Sequence, residues 1–135
     1  MELPIHFGHE VEGCFLYSRH WNPTNEVLAD ALARMEDGEA AAVMSSGMAA
    51  IATTLMLHCG AGDEIVASRT ICGGTYALLK NLLPRFGITT RFVDTKALVA
   101  VRNAIGPRVK VLYCESISNP LLELNDIPKL DGKEV

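Results

Sequence analysis

A short polar turn interrupts an apolar stretch at residues 43–51, whose sequence is VMSSGMAAI. Two serines and a glycine precede a run of helix-forming residues, and the first N–H groups of a helix have no partner within it. The helix dipole favours an anion there, and Gly47 has no side chain to keep a phosphate away. Alternatively, Ser45 or Ser46 caps the helix and no ligand binds. The pattern predicts an anion site or an ordinary cap at this turn.

Two further polar clusters follow apolar segments, RTICGGTY at residues 69–76 and ESISNP at residues 115–120. Cys72 either faces a ligand or is a small buried hydrophobic residue. Glu115 and Asn119 supply a carboxylate and an amide that together suit the orientation of a polar ring. The alternative is an Asn-Pro turn beside a solvated glutamate.

A fourth cluster, YSRHWNP at residues 17–23, begins in an otherwise plain N-terminal arm that we place at residues 1–21. The guanidinium group of Arg19 suits a forked contact with a phosphate. The alternative is a surface arm with an ordinary arginine.

The elements that must position these clusters alternate between apolar runs and helical patterns. Asn22 and Pro23 suit a helix start and Asp37-Gly38 a helix stop. Short apolar strands separated by helices predict an α/β fold, with a mostly parallel sheet flanked by helices, which binds ligands beyond the carboxyl ends of its strands. The predicted strands are 40–44, the second part of a turn-and-strand segment at 60–68, 89–94 and 109–116, and the predicted helices are 22–38, 47–58, 73–83 and 96–105.

Composition narrows the class of protein. The chain has 135 residues, 49% of them hydrophobic and 21% charged, which suits one modest globular domain. A net charge of −4 without a basic run argues against a nucleic-acid partner. No apolar run is long enough for a membrane span. The four cysteines lack C-x-x-C spacing, so we expect no metal site and a reducing, cytoplasmic location.

The clusters together resemble one family, the pyridoxal 5′-phosphate (PLP) enzymes of cysteine and methionine metabolism, also called the transsulfuration family. The resemblance implies an incomplete large domain of fold type I, the aspartate-aminotransferase-like PLP-transferase fold. Residues 22–135 would form the first part of that PLP-binding domain, with its remainder and a C-terminal domain beyond Val135. The motifs that carry it, in order, are YSRHWNPT, SSGMAAI, GDEIVASRTICGGTYALL, GITTRFVD and ESISNPLLELNDI.

The resemblance also implies roles for single residues in cofactor binding. Gly47 and Met48 would donate backbone N–H groups to the PLP phosphate. Asn119 would lie near the ring hydroxyl of the cofactor, with Glu115 beside it. Cys72 stands where the family usually has a tyrosine stacked on the ring, so we expect weaker ring binding here.

The arm matches a part of the family that joins subunits. Tyr17 and Arg19 match a Tyr-x-Arg motif that reaches the cofactor phosphate of a neighbouring subunit, and the tyrosine is also implicated in catalysis. The resemblance therefore implies a homo-oligomer, by family habit a tetramer, with shared sites.

The implied activity is PLP-dependent elimination or replacement at the β or γ carbon of a sulfur amino acid, as in methionine γ-lyase. O-acetylhomoserine sulfhydrylase and cystathionine lyase or synthase are the alternatives. The lysine that holds PLP as a Schiff base is expected after Val135, so we expect the chain alone to be inactive. An alternative of another class is a non-catalytic truncated fragment that acts only through assembly.

Overall fold

The structure of the chain is a computed structural model, which describes residue 18, residues 22–130 and residue 132. Two compact units divide between Met44 and Ser45. The elements are α1 (Pro23–Met35), α2 (Gly47–His58), β1 (Glu64–Ser68), α3 (Gly73–Ala77), β2 (Thr89–Val93), α4 (Leu98–Ala104), β3 (Val109–Tyr113) and α5 (Ile127–Leu130).

The first unit contains α1, and both of its predicted end signals are confirmed. The side chain of Asn22 accepts hydrogen bonds from two N–H groups of the first turn, and Pro23 occupies the first helical position. Beyond the helix, Asp37 adopts the left-handed conformation at φ 56°, and the N–H of Gly38 donates to Ala33 O at 2.8 Å. These bonds satisfy groups that a helix end would otherwise leave without partners.

The predicted strand at residues 40–44 is wrong. This segment has no regular secondary structure, and Ala42 and Met44 are exposed. Three of its five residues are alanine, which is depleted in strands because it offers little surface for packing. A strand also needs a hydrogen-bonded neighbour, and within the described residues both sides of β1 are occupied by β2 and β3.

The three remaining predicted strands are confirmed and form one parallel sheet in the order β2-β1-β3. All five residues of β1 are buried, as expected for a central strand covered on both faces. The chain leaves β1 toward β2 on one side and then returns to place β3 on the other side. The strand order therefore reverses between β1 and β3, and such a switch point is where open α/β sheets form their ligand crevice.

Helix α3 is the first part of a longer helical segment that covers the sheet. It continues as a π-helical turn, Leu78–Leu82, and a 3₁₀ turn, Leu83–Phe86. Pro84 has no N–H to donate and its ring collides with the carbonyl four residues earlier, so regular α-helix cannot persist. The segment ends at Gly87, at φ 77°, where a Cβ would approach Ala61 Cβ to 3.0 Å.

The core lies between this segment, α2 and the sheet. It is built from aliphatic side chains of α2, β1 and the α3 segment, with the aromatic rings of Tyr76 and Phe92 4.9 Å apart at its margin. The buried members are Leu55, Cys59, Ile65, Ala67, Ile71, Leu78, Leu79, Leu83 and Ile88. Among the described residues, no helix has the length and apolar character needed to cross a bilayer.

A pair of leucine substitutions tests this core. Leu79 is 0% exposed, whereas Leu57 on α2 is 80% exposed. Leu79→Ala is expected to lower the free energy of unfolding by about 2–5 kcal/mol, because it removes apolar contacts and leaves a cavity. Leu57→Ala is the control and should change it by less than about 0.5 kcal/mol. Urea titration followed by circular dichroism measures both values, and equal losses would contradict this packing.

Candidate functional site

The site begins at the switch point, where two of the predicted residues meet. Cys72 follows β1 and is the residue before α3, whereas Glu115 follows β3. The backbone N–H of Cys72 donates to Glu115 Oε1 at 2.9 Å, although 43 positions separate the two residues. The carboxylate therefore holds the start of α3 against the end of β3. Cys72 is exposed, so the thiol is not the buried hydrophobic residue of the alternative interpretation.

The start of α2 provides the second part of the site. Ser46 Oγ accepts the N–H of Ala49 at 3.1 Å, so Ser46 is the cap. This cap leaves two donors, because no protein acceptor for the N–H of Gly47 or of Met48 occurs in the described part of the chain. A Cβ placed on Gly47 would meet nothing within 4 Å. Open space therefore lies beside Gly47, at the helix start where these two donors are available.

The starts of α2 and α3 lie side by side. A Cβ on Gly74 would meet Met48 Sδ at 3.1 Å. From this contact an open apolar groove of about 480 Å³ runs between α2 and the α3 segment. Two helix N-termini therefore face one region at the carboxyl edge of the sheet, and both favour negative charge.

Asn119 lies on the loop that follows β3, and it is exposed. Buried Ser118 supports this loop: its N–H donates to Glu123 O at 2.9 Å, and its Oγ accepts the N–H of Glu123 at 3.0 Å. The loop thus carries Glu115 at its beginning and Asn119 near its tip. Tyr17 and Arg19 lie outside the described residues, so their roles stay predictions.

The sequence analysis missed the polar residues that hold this loop. Thr95 and Asn125 form a hydrogen bond between the end of β2 and the end of the loop. The predicted site residues Cys72 and Glu115 follow β1 and β3, and none was predicted after β2. The signal was present in the motif VDTK, whose polar residues follow an apolar run directly.

Burial sets the protonation of two groups at the end of β3. It raises the pKa of the Cys114 thiol, and the neighbouring Glu115 carboxylate raises it further. Burial likewise raises the pKa of the Tyr113 phenol. Both groups are therefore held in their neutral forms near neutral pH.

Comparison with known proteins identifies the family. The profile described as Cys/Met metabolism PLP-dependent enzyme matches residues 2–132. The chain belongs to this family. This confirms the family that the five motifs indicated, as well as the α/β fold class.

Three relatives show the extent of the similarity. L-methionine gamma-lyase of Fusobacterium nucleatum is 43% identical over 119 residues, 88% of this chain and 30% of the relative. Cystathionine gamma-lyase of Lactobacillus plantarum, solved with L-serine, has a TM-score of 0.82 and 36% identity, covering 100% of this chain and 35% of that one. A Campylobacter jejuni structure that contains N′-pyridoxyl-lysine-5′-monophosphate has a TM-score of 0.83 and 36% identity, covering 87% and 29%. The chain thus spans about a third of the length of these relatives.

The two serines before α2 give a matched test of the cap. Ser46→Ala removes the acceptor of the Ala49 N–H, and we expect it to lower the free energy of unfolding by about 0.5–2 kcal/mol. Ser45→Ala changes the neighbouring exposed serine and should have little effect. Chemical denaturation of the two variants measures the difference. A larger loss for Ser45→Ala would reverse the assignment of the cap.

The thiols give a pH-dependent test. Burial raises the pKa of Cys59, and Asp63 raises it further. As pH rises from about pH 8.5, the thiols of Cys59 and Cys114 lose their protons in the unfolded chain before they do so in the folded chain. The stabilising contribution of Cys59, Cys114 and Tyr113 is therefore complete below their unfolded pKa values and is lost as pH rises through the folded values. Urea midpoints should fall over that alkaline range.

Alkylation tests the burial of each cysteine separately. Iodoacetamide should modify exposed Cys72 faster than buried Cys59 in the native protein. Peptide mass spectrometry over a time course gives both rates, and urea should make them similar. Equal native rates would contradict the burial of Cys59.

Proposed function

We propose that this protein binds PLP and belongs to an enzyme that eliminates or replaces a substituent at the β or γ carbon of a sulfur amino acid. The observation that carries the proposal is the convergence of the α2 start and the Cys72–Glu115 hydrogen bond at the carboxyl edge of the sheet. Because the chain belongs to a PLP-dependent family, the anion that suits this geometry is the phosphate of PLP.

The phosphate of PLP fits the start of α2. Gly47 and Met48 offer N–H donors at the positive end of a 12-residue helix, and the space beside Gly47 is open. Hydrogen bonds to a charged acceptor contribute about 1.5–3 kcal/mol each. By the family resemblance, Tyr17 and Arg19 of a neighbouring subunit add positive charge and a further donor.

The cofactor ring would then extend toward Cys72, Glu115 and Asn119. Bound PLP supplies an electron sink, and the role of the protein is to hold and orient it. Glu115 contributes by fixing the backbone at Cys72, and Asn119 offers an amide for the ring hydroxyl. Cys72 supplies no aromatic face, so less of the ring surface is covered than in relatives with tyrosine there.

Methionine γ-lyase activity is the best-supported form of the proposal, because a methionine gamma-lyase is 43% identical to the chain. Cystathionine γ-lyase activity is the second candidate, because such an enzyme matches the whole chain in structure. The two differ in the sulfur substituent that leaves. Competition between L-methionine and L-cystathionine in the full-length protein separates them.

Assembly and location belong to the same proposal. Exposed apolar side chains such as Leu121, Leu122 and Leu124 are compatible with burial against another subunit in a homo-oligomer. Free thiols at Cys59 and Cys72 are compatible with a reducing cytoplasm. Light scattering coupled to size exclusion tests the assembly.

Substitution of Gly47 tests the phosphate contact. Proline is tolerated at the first position of a helix and lacks the N–H. The preceding residue, Ser46, already has the extended conformation that proline demands, with φ −165° and ψ 162°. Gly47→Pro should therefore keep the fold and weaken PLP binding by about 10- to 100-fold, as expected for loss of a hydrogen bond to a charged group.

Gly47→Ala is the matched control, because it adds bulk at the same Cα but keeps the N–H. Fluorescence titration gives the dissociation constant for PLP, with pyridoxal, which lacks the phosphate, as a second ligand. We expect Gly47→Ala to bind PLP more tightly than Gly47→Pro does. The two variants should bind pyridoxal with similar affinity. Equal PLP affinity of the two variants would count against phosphate binding at Gly47.

A further inference from the structure

The loop between Glu115 and Asn125 is closed at its base by one residue. The N–H of Asn125 donates to Ser116 O at 3.1 Å, and its side-chain Nδ2 donates to Glu115 O at 2.7 Å. Further along, Ile117 and Leu124 pair as an isolated antiparallel bridge. Asn125 therefore holds the two ends of this loop together, through both its backbone and its side chain.

The orientation of the Asn125 amide determines its other contact. Because Nδ2 faces a carbonyl oxygen, Oδ1 must be the atom that faces Thr95 Oγ1, and it can only accept. A hydroxyl has one hydrogen, so the Thr95 proton is used for Asn125. Ser68 Oγ, 3.1 Å from Thr95 Oγ1, must then donate to it. Thr70 supports Ser68 in turn, with its Oγ1 at 3.2 Å.

These hydroxyls lie where lost hydrogen bonds are costly. Ser68 is 0% exposed and Thr95 is 5% exposed, so water cannot readily replace a missing partner. Directional chains of buried hydrogen bonds also strengthen one another. The contrast is the ion pair between Lys96 and Glu123, which holds the same loop at 3.1 Å but is open to solvent, with the two side chains 54% and 33% exposed. Such exposed pairs contribute little.

The contacts form a closed circuit around the switch point. They run from Ser68 at the end of β1, through Thr95 after β2, to Asn125 at the end of the loop. Asn125 holds the carbonyl of Glu115, and the Glu115 carboxylate holds the N–H of Cys72, four residues after Ser68. The ends of all three strands are thus connected through a single amide side chain.

We propose that Asn125 is a positioning residue, whose amide fixes Glu115 and its loop to the hydroxyls of Thr95 and Ser68 and so sets the geometry of the cofactor site. It acts on the cofactor only indirectly, through Cys72, Glu115 and the loop that carries Asn119. Its relevance to the cofactor rests on the proposed PLP function, whereas its effect on the Cys72 N–H does not.

Four variants of the full chain test the proposal. Asn125→Asp keeps the shape and an acceptor for Thr95 but replaces the donor to Glu115 O with a repelling oxygen. Asn103→Asp, at an exposed position on α4, adds the same charge as a control. Thr95→Val removes the hydroxyl at nearly constant shape, and Thr95→Ser restores it.

The main readout is local and independent of PLP. Amide-proton NMR follows the Cys72 N–H, whose shift and solvent exchange report its bond to Glu115. Asn125→Asp and Thr95→Val should accelerate this exchange about 5- to 100-fold, the range expected when a buried partner is left unsatisfied. Thr95→Ser and Asn103→Asp should stay near the original rate. Amides of β1, measured in the same spectra, should keep their protection in all four variants.

PLP affinity is the second readout. The two disruptive variants should bind PLP at least about 5-fold more weakly than their two controls, by the same cost of an unsatisfied group. Unchanged Cys72 exchange in Asn125→Asp would overturn the positioning role, as would an equal loss of protection throughout β1. If the unsubstituted chain fails to bind PLP while the Cys72 response appears, the cofactor proposal fails and the positioning role stands.

Discussion

The pairing of β1 on both of its sides is the constraint on which the second unit depends. Its backbone groups are used by β2 and β3, and all five of its side chains are buried. The face of β1 that carries Ile65 and Ala67 is covered by α2 and the α3 segment, with which these two residues form the core. The position of Cys72 follows from where this strand ends, because residues placed beyond Ser68 emerge between the other two strand ends.

Two helix starts at this edge leave polar groups that the protein itself does not satisfy. The side chain of Ser46 accepts only one of the N–H groups of α2, and Glu115 satisfies the N–H of Cys72 just before α3. Glu115 already carries a negative charge toward α3, whereas the start of α2 has a neutral cap and two remaining donors. An incoming anion therefore meets less repulsion at Gly47 than at Cys72, which supports the proposed placement of the PLP phosphate at α2.

Features that depend on interactions between neighbouring residues could be predicted from the sequence, whereas features that depend on distant segments could not. Helix α1, the three strands and the turn at Ser46-Gly47 depend on local patterns and capping residues, so the sequence was sufficient to find them. The strand predicted at residues 40–44 failed because pairing is decided by distant segments. The change to π-helix at Leu78 depends on Pro84, which had predicted a helix stop but not the altered turn. The contact from Thr95 to Asn125 spans 30 positions, so the motif VDTK could indicate a polar strand end but not its partner.

In the proposed PLP complex, the relative size of the contacts gives a reason why the position of the loop would matter. An aromatic pair contributes about 0.5–1.5 kcal/mol beyond burial of its area, and Cys72 forgoes a contact of that kind with the ring. Each hydrogen bond to the phosphate contributes about 1.5–3 kcal/mol, so the two donors at Gly47 and Met48 outweigh that loss. The affinity for PLP would thus be retained without a tyrosine at position 72. Contacts to the phosphate alone, however, would leave the pyridine ring free to rotate about the bonds that join it to the phosphate. The orientation of the ring then depends on Glu115 and Asn119, and therefore on the amide of Asn125 that holds their loop.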